Sequence, residues 1–288
     1  MEAQIALLES AKVPSLSLAF MIFSAVMGLV IPIALMIFLK KKYGCHIKHF
    51  LIGCAVWIAF AVILEGFCTR LILGSGLGTT IMENIWLHAI FGGLMAGLFE
   101  EFGRFTAFKT VLKGDLDNDK DSLMYGAGHG GVEAVVILSY GMLSNIICSI
   151  LINAGMAKTL IDPLIALDAQ TAQSTVDGLL MLVNEPSGIF LIGLLERILA
   201  ITGHIAMSVI VWYGVKNKKI ALVFLSVGLH AALDALTLIF SKYVGTDFIL
   251  ELIVAVIVAG IVFVAYRVWK SEAPVSKAPV SEVEGVNE

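Results

Sequence analysis

The sequence predicts an all-α, polytopic membrane helix bundle of about seven transmembrane helices. Three observations carry that prediction. The chain of 288 residues is 59% hydrophobic and only 15% charged, whereas a soluble domain would be near half apolar and a quarter charged. Too few charges remain to cover a water-facing surface. Several apolar runs reach about 20 residues, the length that crosses a hydrocarbon core. They also lack the alternation of apolar and polar residues that strands of a membrane barrel would carry.

Residues 1–13 read as a short, weakly amphipathic lead-in without a basic start or a small-residue cleavage pattern, so the first long run is expected to be a retained span. Span one covers 15–39, contains Pro32 and stops at Lys40-Lys41-Lys42; neighbouring helices can support such a proline. Span two covers 47–73, with Glu65 and Arg70 expected as a structural pair toward its far end. After a turn at Gly74, Gly76 and Gly78, span three covers 81–108. The loop to residue 121 carries Asp115, Asp117, Asp119 and Asp121, but position 6 counted from Asp115 is Lys120 and position 12 is Gly126. A calcium loop needs Gly and Glu there, so a solvated cytoplasmic loop is expected. Span four covers 122–152.

The long hydrophilic interval 153–187 holds one basic residue, Lys158. Any helix in it is expected to be interfacial or re-entrant, because an extra crossing would break the charge pattern. Spans five, six and seven cover 188–215, 220–241 and 247–268. The tail 270–288 repeats Ala-Pro-Val-Ser and is expected to be disordered and cytosolic. Residues 1–269 then form one transmembrane domain with its core at 80–240. Basic residues cluster after spans one, three, five and seven, which predicts the N-terminus outside and the C-terminus in the cytosol. No basic patch with interleaved aromatics occurs, which argues against a nucleic-acid partner. The four cysteines lack CxxC spacing and read as packing residues.

The stretch Phe99-Glu100-Glu101-Phe102-Gly103-Arg104 sits inside span three. Charges at such depth are costly unless paired or facing a polar cavity, so they mark a functional site. By the helical rise, Glu100 and Glu101 lie roughly 10–12 Å below the cytosolic boundary and His129 about 10 Å. Glu133, His204, His230 and Asp234 lie roughly 15–20 Å below it. Four helices thus place their polar residues in one layer of the cytosolic half. Glu100 and Arg104, His129 and Glu133, and His230 and Asp234 are each four apart and share a helix face. In the last two pairs a carboxylate could fix the aim of its imidazole. His204 has no carboxylate at that spacing. His88 reads as interfacial, and His46 and His49, in the basic first loop, as solvated or lipid-facing. Glycines at 126, 128, 130 and 131 surround His129 and allow close approach.

Such a layer suits two chemistries. A Glu can activate water while imidazoles stabilise an oxyanion, or two His and a carboxylate can bind Zn²⁺ with a position left open for water. HExxH and GxSxG are both absent, so zincin and serine-hydrolase arrangements are not indicated. Chains of buried Glu and His also mark proton paths, which keeps a transporter or proton-coupled permease open.

Glu100-Glu101-x-x-Arg104, then Gly128-His129-Gly130-x-x-Glu133, then Leu229-His230-Ala231-x-x-Asp234 resembles the superfamily of CAAX prenyl endopeptidases, bacteriocin-processing proteases, PrsW-type proteases and the Aph-1 subunit of γ-secretase. The layout looks closest to bacterial YhfC-type intramembrane peptidases, and the similarity spans roughly 80–240. The resemblance implies a multi-pass protein of a bacterial plasma membrane that cleaves a membrane-associated peptide or protein near the cytosolic face. One of Glu100 and Glu101 would be the water-activating base, with His129 and His230 stabilising the oxyanion or, with Glu101, binding a metal such as zinc. Asp234 matches the residue that partners the final His. The Glu-to-Arg104 spacing is nearer the PrsW type than the CAAX type. Aph-1 keeps a non-catalytic scaffold open as well.

Overall fold

The computed structural model describes residues 1–165 and 167–273. Among the described residues there are no strands, and seven helices are long and apolar enough to cross a membrane. They are Ser15–Tyr43, Ile47–Leu73, Ile85–Lys109, Asp121–Asn153, Ile189–Lys216, Ile220–Tyr243 and Asp247–Glu272, here spans one to seven. Span three starts four residues later than the apolar run suggests. Asn84 caps it by accepting from the Trp86 and Leu87 backbone N–H groups, which ends the preceding short helix Gly78–Glu83.

Span five is the axis of the bundle. In its most apolar window 67% of residues are buried, against at most 33% in any other span. The neighbouring spans approach it and one another at glycines. A Cβ on Gly128 of span four would lie 2.0 Å from the Phe50 carbonyl oxygen of span two, and one on Gly126 2.5 Å from Ile205 Cα of span five. Spans three and six meet in the same way at Gly93 and Gly97, where added Cβ atoms would sit 2.3 and 2.8 Å from carbonyl oxygens of span six. Backbone proximity of this kind replaces a hydrophobic driving force that lipid does not supply.

The interval after span four holds two helices, Lys158–Ile165 and Ala169–Asn184. Both are too short to cross a bilayer. Their apolar faces pack with the N-terminal helix Glu2–Ser10 in a cluster around Leu8, Ile161, Val176 and Leu179. At the opposite end the aspartate loop differs from the expected solvated segment. Lys48 lies 2.6 Å from Asp115 and holds its carboxyl below the usual carboxylate range. Asp119 accepts from Trp212 Nε1 at 3.0 Å and Lys216 Nζ at 2.6 Å, and Asp121 is buried. His49, expected to be solvated, has no exposed surface because it packs under that loop against Trp212.

Two local expectations also change. Residues 58–65 of span two are π-helical, and Glu65 makes no ion pair with Arg70 among the described residues. Five residues of separation already place the two on different faces. Span seven continues through Lys270 to Glu272, where the disordered tail was expected to begin. Asn217 and Lys219 reach Glu272 at 2.9 and 2.6 Å and hold that last turn. The rest of the expected tail, 274–288, lies outside the described residues.

Replacing Gly128 by Val should destabilise the bundle by about 1–3 kcal/mol, the usual cost of overpacking. Lowered thermal stability and folded yield of the detergent-solubilised protein would report it, while Gly92→Val, with open space at its Cβ, should leave both unchanged.

Candidate active site

Glu101 and Arg104 are three residues apart on span three and both are fully buried. Their ion pair is direct. Glu101 also accepts from Ser226 Oγ at 2.7 Å and faces His230 Nδ1 at 2.8 Å. Ser226 and His230, four apart, share the face of span six that Gly93 and Gly97 bring close. A carboxylate with three donors has its lone pairs satisfied and is held as a fixed anion.

Glu100 points elsewhere. Its Oε2 lies 2.8 Å from His129 Nε2, and 3.8 Å from both Arg104 Nη2 and His204 Nδ1. One donor atom each from Glu100, His129 and His204 falls within 4.8 Å of the others, a grouping that could hold a metal ion. Arg104 Nη2 also lies 2.6 Å from His204 Nδ1. Since arginine can only donate, His204 then carries its proton on Nε2, which is 2.5 Å from Glu133 Oε2. Arg197 Nη1 donates to the other oxygen of Glu133 at 2.6 Å and pairs with Glu196 as well.

The helix-face pairing read from the sequence is therefore rearranged. His129 faces Glu100 across helices, and Glu133 serves His204, which had no neighbour of its own in sequence. The cause is steric. A Cβ on Gly130 would meet His204 Cβ and Cδ2 at 3.0 Å, so the bare glycine lets that ring lie on span four and intercept Glu133. His230 is 3.6 Å from Asp234, beyond hydrogen-bond reach, and turns its other nitrogen to Glu101. The expected metal set of Glu101, His129 and His230 does not converge, because Glu101 is enclosed by Arg104, Ser226 and His230. Ser226 and Arg197 were not singled out from the sequence. Their signals were present: Ser226 is one turn from His230, and Arg197 two turns from His204. Glu65, from span two, lies within electrostatic reach of Glu100, His230 and Asp234.

A cavity of about 310 Å³ borders this cluster. Glu100, Glu133, His204 and His230 line one end, and Thr237, Leu238, Ser241 and Val254 the other. Ser241 is eleven residues beyond His230, roughly 16 Å along the helix, so the cavity runs away from the lysine-rich ends of the bundle. Phe108, Tyr125, Trp212 and Tyr213, all without exposed surface, fill the space toward those ends.

Seven apolar spans around a buried carboxylate, imidazole and guanidinium cluster define a polytopic membrane protein with an enclosed polar centre beside a cavity. Residues 27–258 match the model of the YhfC intramembrane metalloprotease family, and the chain belongs to that family. It is 31% identical over 245 residues to the uncharacterized membrane protein YhfC of Bacillus subtilis (strain 168), covering 84% of this chain and 93% of that protein. No solved structure matches the chain.

The two neighbouring glutamates should separate in stability measurements. Glu101→Gln leaves Arg104 without its buried counter-charge and should cost about 3–5 kcal/mol. Glu100→Gln, at the cavity wall, should cost well under half of that in the same detergent unfolding titration.

Proposed function

We propose that the protein is a membrane-embedded, metal-dependent endopeptidase that hydrolyses a peptide bond of a membrane-associated peptide or protein. The observation that carries this reading is the convergence of Glu100, His129 and His204 beside a cavity that Glu100 and His204 line and that is large enough for a short peptide segment. The cavity's lining runs from the cluster toward one end of the bundle only, which favours a hydrolase over a permease.

The donor set fits a metal. Two imidazoles and a carboxylate are a common catalytic zinc set. Glu100 Oε2 lies 2.8 Å from His129 Nε2 and 3.8 Å from His204 Nδ1, and His204 carries the Glu133 carboxylate behind its Nε2, as ligating histidines usually do; an ion there would take the Nδ1 lone pair that Arg104 otherwise caps. Glu100, His129 and His204 would hold Zn²⁺, which when bound supplies a Lewis acid and a water of lowered pKa. The chain's own groups divide the remaining work. Glu133, anchored by Arg197, orients His204. Arg104 places a fixed positive charge beside the position where negative charge develops on the peptide carbonyl. His230 gives its Nδ1 proton to Glu101 as a hydrogen bond, so Nε2 is left with a lone pair at the cavity wall. That nitrogen takes the proton of the attacking water and returns it to the leaving amine. Asp234, at the same wall, steadies the imidazolium in between. Glu101 is a positioning residue.

The substrate enters from the end of the bundle that carries the N-terminus, between spans six and seven. Under the orientation expected from the loop charges, that end faces away from the cytosol, and the protein would sit as a multi-pass component of a bacterial plasma membrane.

Reconstituted protein should cleave a panel of membrane-anchored reporter peptides, and chelation should stop it. Glu100→Gln and His129→Ala should each lower cleavage by at least about 100-fold without loss of folded protein, and His230→Gln by about 10²–10⁴-fold. Glu133→Gln should weaken zinc affinity by about 10–100-fold. Undiminished cleavage by Glu100→Gln would remove the proposed centre.

A further inference from the structure

A second group of metal-type donors lies at the lysine-rich end of the bundle, away from the cavity. His46 stands at the start of span two, His49 one turn further on, and Asp121 opens span four. One donor atom from each lies within 4.8 Å of the other two. Asp121 Oδ1 accepts from the His46 backbone N–H at 2.7 Å, and Oδ2 lies 2.7 Å from His46 Nδ1 and 3.7 Å from His49 Nδ1.

The independent observation is the state of His49. Its ring has no exposed surface. Nε2 lies 3.3 Å from the backbone carbonyl of Asp115, and a carbonyl only accepts, so the proton sits on Nε2. Nδ1 is then a bare lone pair, buried, and without a partner. What it faces is the carboxylate oxygen of Asp121, another acceptor. Two buried acceptors aimed at one another repel unless a cation lies between them. A proton on His46 would satisfy that ring's own contact with Asp121 but would leave His49 Nδ1 unanswered. An ion held by all three answers every donor. The Nε2–H bond to the Asp115 carbonyl is also the arrangement that fixes a ligating histidine from behind.

We propose that His46, His49 and Asp121 form a second cation site, for a borderline divalent ion of the zinc type. Two imidazole nitrogens and one carboxylate oxygen select such ions over calcium or magnesium, which prefer oxygen throughout. The side chain of His46 is 61% exposed, so water can take the fourth position. The partial positive charge of two helix N-termini opposes a cation here, and the full negative charge of Asp121 offsets it. The bound ion clamps span two to span four at the same pair of helices that Gly53 and Gly128 bring into backbone contact. His129 hangs from span four eight residues further in, roughly 12 Å away. Occupancy of the outer site therefore stiffens the element that carries a residue of the central cluster.

The test uses the full chain in lipid nanodiscs, stripped with chelator and titrated with Zn²⁺ or Co²⁺. In a His129→Ala background, which removes a donor from the central cluster, one ion per chain should still bind, with a Co²⁺ absorption spectrum of nitrogen and oxygen ligation. Adding His46→Ala, an exposed position whose loss should leave the fold intact, should weaken that binding at least tenfold. Asp117→Asn, in the same loop, should leave it unchanged. Glu100→Gln serves as an alternative background and should behave as His129→Ala does. Failure of both backgrounds to bind any ion, or binding that His46→Ala leaves intact, overturns the proposal. Neither result bears on the central site, whose ligands are measured with His46 in place.

Discussion

The bundle depends on one buried ion pair. Glu101 and Arg104 have no exposed surface, and taking two charges out of water costs several kcal/mol each unless every remaining lone pair and N–H finds a partner. Glu101 meets that condition through Ser226 and His230, both from span six. Satisfying the charge therefore fixes the rotation and depth of span six against span three. The glycines at 93 and 97 supply the closeness that short hydrogen bonds require. Once those two helices are set, Glu100 must project from the adjacent face, toward span four and the cavity. The same helical turn thus supplies one glutamate enclosed between helices and a second at the cavity wall.

From Arg104 the charges continue in alternation through His204 and Glu133 to Arg197. The path crosses from span three to five, to four, and back to five. Each group has a partner of opposite character, and low dielectric strengthens such contacts while making any gap in them costly. Orientation of His204 is thus set by residues on three helices. Substitutions along the path should combine non-additively, since removing Glu133 changes what Arg197 and His204 each face.

The spans were legible because crossing a hydrocarbon core demands length and apolarity, and both are written residue by residue. The membership of the polar layer was legible for a similar reason: an ionisable group at that depth is expensive enough to stand out. Which group faces which was not. Sequence spacing reports a shared helix face, so it paired His129 with Glu133 and His230 with Asp234. Partner choice is decided between helices, by how closely they pass. Gly130 was noticed as a point of close approach, but the ring that fills it, His204, comes from 74 residues away. His49 was misplaced for the opposite reason. It lies in a basic stretch that reads as solvated, and only the fold of the aspartate loop over it excludes water.

Glycine placement joins the stability problem to the access problem. The surface of span four from Gly126 to Gly131 is almost bare, so spans two and five close on it, and large aromatic side chains lie nearer the lysine-rich end. There Phe108, Tyr125 and Trp212 pack edge to face, with ring centres 4.6 and 5.2 Å apart. That packing fills the bundle between the cluster and the lysine-rich end. On the other side, spans six and seven meet the cluster with Leu233, Val254 and Val258, branched aliphatics that leave room beside His230. The cavity beside the cluster therefore lies on the side away from the aromatic packing. The side of the cluster on which the cavity lies follows from where small residues let helices touch and where large rings fill the remainder.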